Sequence, residues 1–350
     1  MFAWSDVRIP IIAAPMAGGA STPALVVSVG AGGGLGFLAA GYKTPDATAR
    51  QIVDVRQRTQ RPFGVNVFVP GPPLTDRIGV ERYRNELAVS ARAYGVDLPP
   101  IRDSDDDWFA EKLALLGELR VPVVSFTFGL PPIESVRALG AAGSYLIATV
   151  TSVEEAALAA ERGVDALCVQ GPEAGGHRGT FTSTEEPGTL MLTELVSAVR
   201  EVSRLPLIAA GGVHTGAQVA ALRKVGAAAV QLGTAFLRTD ESGAHQAHKD
   251  ALAEARFERT VITRAFSGRP ARGLLNAFIT EHGATAPSAY PQVHHLTTAI
   301  RAEAGQRGDP DGLALWAGTG YRSAGMGPAA VVLTRLWEEA QLLSGDGLSE

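Results

Sequence analysis

Short runs of continuously apolar residues recur along the chain, separated by stretches of mixed polarity that suit amphipathic helices. Continuous apolar runs, rather than alternating ones, are typical of parallel strands that are covered on both faces. The runs lie at residues 10–14, 35–39, 63–68, 121–126, 144–149, 165–170, 207–210 and 228–232. Eight strand–helix units of this kind predict an α/β fold, a closed (β/α)8 TIM barrel, with a doubly wound open sheet as the alternative.

Two stretches fall outside the strand–helix repeat. Residues 70–107 have proline-rich ends and predict an insertion after strand 3, and their acidic run at 103–107 predicts a solvated helix start. Residues 239–350 predict a helical and loop decoration, with a C-terminal helix that packs on the barrel. We therefore expect the barrel core to span residues 1–238.

Composition excludes several classes of protein. Cys168 is the single cysteine of the 350 residues, which excludes a disulfide framework or a cysteine-rich zinc site and suits a reducing cytoplasm. The net charge is −5 with no stripe of Lys or Arg, which argues against nucleic acid or an anionic membrane as a partner. The N-terminal residues lack a signal-peptide pattern, and no apolar run reaches the ~18 residues of a membrane span. We expect a soluble cytoplasmic protein.

Two pairs of small residues follow the last two predicted strands. Gly211-Gly212 and Gly233-Thr234 lie where barrels commonly build a phosphate site from backbone N–H groups at a short helix N-terminus. A tight turn explains one such pair, but two pairs on neighbouring strands favour a phosphate. The sequence has no P-loop, so a nucleoside triphosphatase site is not predicted.

Three amide side chains end strands of the predicted barrel: Asn66, Gln170 and Gln231. Each alone would most simply be a buried amide with its hydrogen bonds satisfied. Together with a phosphate site in the same barrel mouth, they predict a phosphorylated ring cofactor such as FMN. Such a cofactor would supply redox chemistry that the side chains lack.

His177 is the candidate catalytic residue. It lies in a glycine-rich loop seven residues after a strand end, and its ordinary pKa near ~6.5 suits an acid or base at neutral pH. His245 and His248 are expected on an exposed helix, and His214 beside the phosphate turn. No carboxylates converge on these histidines, so no metal site is predicted. Cys168 is expected in the core.

Several of these segments resemble class I nitronate monooxygenase, formerly called 2-nitropropane dioxygenase, over nearly the whole chain. The segment that contains His177 is the most specific. The matching segments are 14–19, 124–129, 170–179, 210–212, 230–234 and 315–321.

The resemblance implies a barrel that holds FMN and oxidises alkyl nitronates, such as propionate 3-nitronate, with O₂. The products would be a carbonyl compound and nitrite or nitrate. It implies His177 as the active-site histidine and Trp316 and Tyr321 on the substrate side. Together with the glycine turns described above, the FMN-binding positions would be Met16, Asn66, Gln170, Gly175, Gly211, Gly212, Gln231, Leu232, Gly233 and Thr234. His177 would either hold the nitronate as a cation or, when neutral, remove the α-proton of a nitroalkane.

Two alternatives remain open from the sequence. One is an NAD(P)H-dependent FMN reductase, similar to the enoyl-acyl-carrier-protein reductases or quinone reductases built on the same barrel. The other is a barrel without flavin that binds a phosphorylated metabolite. Nothing in the sequence predicts an oligomeric state.

Overall fold

The computed structural model describes residues 2–184 and 186–344, and within them eight parallel strands close into a barrel. Its strands are β1 (Ile11–Ala13), β2 (Leu35–Ala39), β3 (Gly64–Phe68), β4 (Val123–Thr127), β5 (Tyr145–Val150), β6 (Ala166–Gln170), β8 (Leu207–Ala210) and β9 (Ala227–Leu232). β9 pairs with β1, with Ile12 opposite Gln231, and this closes the barrel. The predicted TIM barrel is confirmed, and each predicted strand lies within two residues of an observed one.

The strands are continuously apolar because each contributes to two cores. In β1, Ile12 packs in the barrel interior with Phe37 and Ile208, while Ile11 packs in the layer between strands and helices. Both side chains are fully buried. Phe2 packs in the interior core with Trp4 against it, and the Trp4 indole donates to Tyr145 Oη.

A ring of helices surrounds the strands. The helices of the described ranges are α1 (Pro23–Gly32), α2 (Pro45–Arg58), α3 (Arg77–Tyr94), α4 (Phe109–Glu118), α5 (Ile133–Ala141), α6 (Val153–Arg162), α7 (Leu192–Val202), α8 (Gly216–Lys224), α9 (Gln246–Ala251), α10 (Ala277–His282), α11 (Gln292–Arg307) and α12 (Ala329–Ser344). None of them is long and apolar enough to cross a membrane. α12 packs against both α8 and α1, so it is the eighth helix of the ring. α12 corresponds to the C-terminal helix that the sequence predicts to pack on the barrel.

A further hydrophobic core lies outside the barrel and joins segments that are far apart in sequence. α3, from the stretch after β3, packs its buried Tyr83 and Leu87 against Phe266 and residues of α10 and α11. The Tyr83 hydroxyl donates to Ala265 O at 2.6 Å. The predicted insertion and the segment between β9 and α12 thus form one layer.

A three-stranded sheet joins this layer to the barrel loops. β7 (Gly176–His177) follows β6, and it pairs antiparallel with β11 (Ala271–Leu274), which pairs with β10 (Thr260–Thr263). The sequence pattern does not predict this sheet because β7 is only two residues long and has no periodicity. Through this sheet, the backbone of the loop after β6 is hydrogen-bonded to β11.

The closeness of α8 and α12 depends on Gly216, the first residue of α8. A Cβ at this position would lie 2.5 Å from Glu339 Cβ and 2.6 Å from Leu336 O, so the helices would have to separate. We predict that Gly216→Ala lowers the free energy of unfolding by about 1–3 kcal/mol, the usual cost of overpacking. Urea denaturation measures it.

Gly140→Ala is the matched control. Gly140 lies within α5, and a Cβ there would meet nothing within 4 Å. Because alanine favours helix more than glycine does, this variant should be neutral or more stable. Equal destabilisation by both substitutions would contradict the role given to the α8–α12 contact.

Candidate active site

A cavity of about 570 Å³ lies at the carboxyl end of the barrel strands. Its wall comes from the loops after β1, β3, β6, β8 and β9, together with α11 and the segment before α12. The structure brings together all but one of the predicted site residues, namely Met16, Asn66, Gln170, Gly175, His177, Gly211, Gly212, Gln231, Leu232, Gly233, Thr234 and Trp316. This size lies within the range of about 300–1,000 Å³ that is usual for cofactor and ligand pockets.

Tyr321 is the exception among the predicted site residues. Its side chain is 4% exposed and does not line the cavity, and its hydroxyl donates to Phe257 O at 2.6 Å. It packs in a small core with Leu237 and Leu315. Tyr321 therefore anchors the segment that carries Trp316 and has no place on the substrate side.

The strand-end amides combine fixed positions with open acceptors. Asn66 is held by its Nδ2, which donates to Ser125 Oγ at 2.9 Å and to Thr127 Oγ1 at 3.0 Å. Gln231 Nε2 donates to Cys168 Sγ at 3.4 Å. No described residue donates to Asn66 Oδ1 or to Gln231 Oε1. Both oxygens can therefore accept hydrogen bonds from a ligand.

Gln170 has a different task. Its Oε1 accepts from Gly179 N at 2.8 Å and its Nε2 donates to His177 O at 3.1 Å. The amide thus holds the backbone at the end of β7 and just after it. Because this backbone is fixed, the His177 side chain has a defined position.

The turns after β8 and β9 present open donors. Gly211 and Gly212 have φ of 133° and 65°, in the region that favours glycine. A Cβ on Gly212 would lie 2.6 Å from Glu173 Cβ. The backbone N–H groups of Gly212, Gly233 and Thr234 donate to no described residue. Unpaired N–H groups at such turns form an anion site.

The sequence predicted His177 in a glycine-rich loop, whereas in the structure it lies on β7, opposite Ala271 of β11. Its Nε2 lies 2.9 Å from Ser267 Oγ. Ser267 is buried, and its Oγ lies 3.2 Å from Arg269 O, which can only accept. When Ser267 donates to that carbonyl, its Oγ accepts from Nε2–H, and Nδ1 is left as the base.

Burial, together with the smaller effect of the charges of Arg269 and Arg301, lowers the pKa of His177 to about 3. The imidazole is therefore neutral near pH 7. Of the two roles left open by the sequence, this favours the base over the cation.

Three aromatic side chains lie close to the His177 imidazole. Phe128, Tyr290 and Trp316 lie with their ring centroids 5.6, 5.7 and 5.5 Å from the imidazole. Phe128 has φ of 80°, and Tyr42, whose hydroxyl accepts from Tyr290, has φ of 66°. Such strained backbone is held only where the surroundings enforce it, and it clusters at functional sites. Of these three aromatic residues, only Trp316 was among the predicted site residues, because no periodicity in the sequence marks Phe128 and Tyr290.

His248 was also misplaced by the sequence analysis. It lines the cavity instead of an exposed helix face, with Nε2 3.1 Å from Trp316 O. Burial lowers its pKa to about 4. His245, by contrast, is exposed at the start of α9, although it borders the cavity.

Cys168 is 2% exposed on β6, where burial raises its thiol pKa to about 12. The thiol is therefore protonated and is a poor nucleophile. The sequence-based expectation of a core cysteine is confirmed, with its sulfur at the floor of the cavity.

The cavity at the carboxyl end of the barrel contains amide oxygens that can accept, N–H groups that can donate and a neutral histidine. This is the arrangement expected of an enzyme built on a TIM barrel. The model of the nitronate monooxygenase family matches residues 3–339. A probable nitronate monooxygenase from Bacillus subtilis (strain 168) is 39% identical over 317 residues, 90% of each chain. The chain therefore belongs to the nitronate monooxygenase family and is an oxidoreductase, and the resemblance found in the sequence is confirmed.

Solved structures agree with this assignment. The chain resembles a nitroalkane oxidase from Streptomyces ansochromogenes with a TM-score of 0.95 and 47% identity, over 99% of both chains. It also resembles FabK from Thermotoga maritima, with a TM-score of 0.76 and 27% identity over 98% of this chain and 96% of the other.

The buried histidines predict a pH-dependent stability. Below pH ~6.5, His177 and His248 bind protons in the unfolded chain but stay neutral in the folded protein. The free energy of unfolding therefore decreases as the pH falls towards 4. We predict that His248→Gln, which can still donate to Trp316 O, reduces this slope by up to about 1.4 kcal/mol per pH unit between pH 6 and 4.5. Urea denaturation at several pH values measures it.

His245→Gln is the control, because it removes an exposed histidine of the same region. It should leave the slope unchanged. An unchanged slope in His248→Gln would mean that His248 gains its proton in the folded state as readily as in the unfolded state.

Proposed function

We propose that the protein oxidises alkyl nitronates, such as propionate 3-nitronate, with O₂ and bound FMN, giving a carbonyl compound and nitrite or nitrate. One observation carries this proposal. The same cavity holds open amide acceptors, three unpaired backbone N–H groups and a neutral histidine with an available Nδ1.

The donor and acceptor set fits FMN. The N–H groups of Gly212, Gly233 and Thr234 would hold the phosphate, since they present positive partial charge without a competing protein acceptor. Asn66 and Gln231 would accept from or orient the ring, and Met16 would lie against it. When bound, the flavin supplies electron transfer from the substrate and onward to O₂.

His177 prepares the substrate in this proposal. Its Nε2–H is held by Ser267, so Nδ1 is the atom that can remove an α-proton from a neutral nitroalkane and so produce the nitronate. The name of the solved relative, a nitroalkane oxidase, supports this role. The aromatic wall of Phe128, Tyr290 and Trp316 keeps water away from the imidazole, which maintains its low pKa.

The cofactor part of the proposal is tested at Gly212. The Gly212→Ala variant places a Cβ against Glu173 and Thr319 and strains a turn whose φ is 65°. We predict that it loses bound FMN, seen as loss of the absorbance near ~450 nm in the purified protein. A colourless wild-type protein that cannot be loaded with FMN would contradict the proposal and favour the phosphometabolite binder.

Gly143→Ala is the matched control. It has a similar φ of 95°, and a Cβ there would meet nothing within 4 Å, so it adds backbone strain without touching the cavity. It should bind FMN normally. If both variants lose FMN equally, general destabilisation is the cause and the turn is not a phosphate site.

The base role is tested at His177. We predict that His177→Asn keeps FMN but oxidises a neutral nitroalkane about 10²–10⁴-fold more slowly, with a much smaller loss for the preformed nitronate, which needs no base. Ser267→Ala should act in the same direction and more weakly. Nitrite release and O₂ uptake measure both.

Two results would contradict these assignments. Equal losses on nitroalkane and nitronate would remove the base role from His177. Rapid anaerobic bleaching of the flavin by NAD(P)H, without nitrite release from any nitronate, would favour the reductase alternative.

A further inference from the structure

The acidic run at 103–107, which the sequence predicts to be a solvated helix start, ends on a side chain that points into the protein. Asp103 and Asp106 are exposed, as expected. Asp107, two residues before α4, is only 19% exposed, and its Oδ2 lies 2.7 Å from Lys112 Nζ. Lys112 lies on α4 and is 1% exposed. Asp107 and Lys112 therefore form an ion pair that is largely removed from solvent.

The other carboxylate oxygen of Asp107 holds a residue of the active-site cavity. Asp107 Oδ1 accepts from the backbone N–H of Tyr42 at 3.0 Å. Tyr42 and Asp107 have φ of 66° and 55°, a region that residues other than glycine rarely adopt. Such backbone persists only where the surrounding structure enforces it. The hydrogen bond from Tyr42 N to a carboxylate anchored by Lys112 is a contact of this kind.

Tyr42 extends this constraint to His177. Tyr42 lines the cavity, its ring stacks on His294 at 3.8 Å, and its hydroxyl accepts from Tyr290 Oη at 3.0 Å. The Tyr290 ring in turn lies 5.7 Å from the His177 imidazole and 5.2 Å from the Phe128 ring. Direct contacts therefore run from the ion pair to His177.

We propose that Asp107 and Lys112 are positioning residues of the active site, which fix Tyr42 so that Tyr42 holds Tyr290 against His177. Neither Asp107 nor Lys112 lines the cavity, so both act through other residues. The inference rests on the proposed function, because it concerns the base that the proposed function assigns to His177.

The groups that face His177 show what the positioning achieves. Those that carry charge or can titrate are Arg269 before β11, Arg301 and His294 on α11, and Tyr290. Burial is the largest cause of the low pKa of His177, ahead of the two arginines. If Tyr290 were no longer held in place, the arginine charges would remain but water would reach the imidazole. Its pKa would then rise towards the ordinary value near ~6.5.

The first test is the pH dependence of kcat/KM for a neutral nitroalkane. In the wild-type protein the pKa of His177 is about 3, so the base stays unprotonated and kcat/KM changes little between about pH 5.5 and 8. Asp107→Ala removes the acceptor of Tyr42 N, and we expect its kcat/KM at pH 5.5 to fall up to about 10-fold below its value at pH 8. Tyr42→Phe removes the hydroxyl contact with Tyr290 and should act in the same direction. A wild-type profile in either variant would overturn the inference.

A double variant separates positioning from charge. Asp107→Asn together with Lys112→Met removes both charges but keeps an Oδ1 that can accept from Tyr42 N, so it should restore the wild-type profile. Lys112→Met alone leaves a carboxylate without its cation, which favours its turning to solvent and away from Tyr42. We expect this single variant to behave like Asp107→Ala. If the double variant also behaves like Asp107→Ala, the hydrogen bond to Tyr42 is not the cause and the inference is wrong.

Gly216→Ala is the control for general loss of stability, because it is expected to destabilise the α8–α12 contact. It should keep the wild-type pH profile. The same loss of kcat/KM at pH 5.5 in this variant would mean that destabilisation alone exposes His177, and would overturn the inference. FMN content, from the absorbance near ~450 nm, must match wild type in every variant compared.

A measurement without turnover distinguishes this inference from the proposed function. In protein labelled with ¹⁵N-histidine, the imidazole NMR signals of His177 are those missing from His177→Asn, and they report its protonation directly. We expect His177 to stay neutral at pH 5.5 in the wild-type protein and to titrate nearer ~6.5 in Asp107→Ala. If this holds but no nitroalkane or nitronate is oxidised, the proposed function fails and the positioning role stands. If substrates are oxidised but His177 titrates alike in both proteins, the positioning role is wrong.

Discussion

The backbone pairing between β7 and β11 is the interaction on which the active-site geometry depends. It joins the loop after a barrel strand to a segment roughly a hundred residues later, with His177 opposite Ala271. Through this pairing the Ser267 hydroxyl comes within 2.9 Å of His177 Nε2. The side-chain hydrogen bond that holds the histidine therefore comes from the segment between β9 and β11, although the histidine itself belongs to a loop of the barrel.

Two buried arginines hold the loop after β6 in place. Arg178 and Arg269 are almost fully buried and have no carboxylate partner within the described ranges. Instead, Arg178 donates to the carbonyls of Gly171 and Gln170, and Arg269 donates to those of Arg178 and Thr180. Each guanidinium thus donates to two backbone carbonyls of β6 or of the loop after it, which holds this loop in place.

The sequence predicted the parts of the site that follow from the barrel alone. Parallel strands end at one rim, so Asn66, Gln170 and Gln231 had to approach one another once eight strands were recognised. Other cavity residues lie outside the barrel strands: Tyr42 in the loop after β2, His248 on α9 and Arg301 on α11. The positions of these elements depend on tertiary packing. No periodicity marks such residues. For Tyr321 the sequence was misleading in the opposite way. Its place in the same segment as Trp316 suggested the substrate side, but its side chain is buried and its hydroxyl donates to Phe257 O.

Arg269 and Arg301 are both close enough to affect the pKa of His177, but they differ in their hydrogen-bond partners. Carbonyl oxygens surround Arg269, so its charge mainly stabilises the loop and keeps His177 neutral. Arg301 acts in the same direction on His177, yet its Nη1 donates to no residue of the ranges 2–184 and 186–344. An anion bound there would offset the charge that lowers the pKa of His177 and make the imidazole a stronger base.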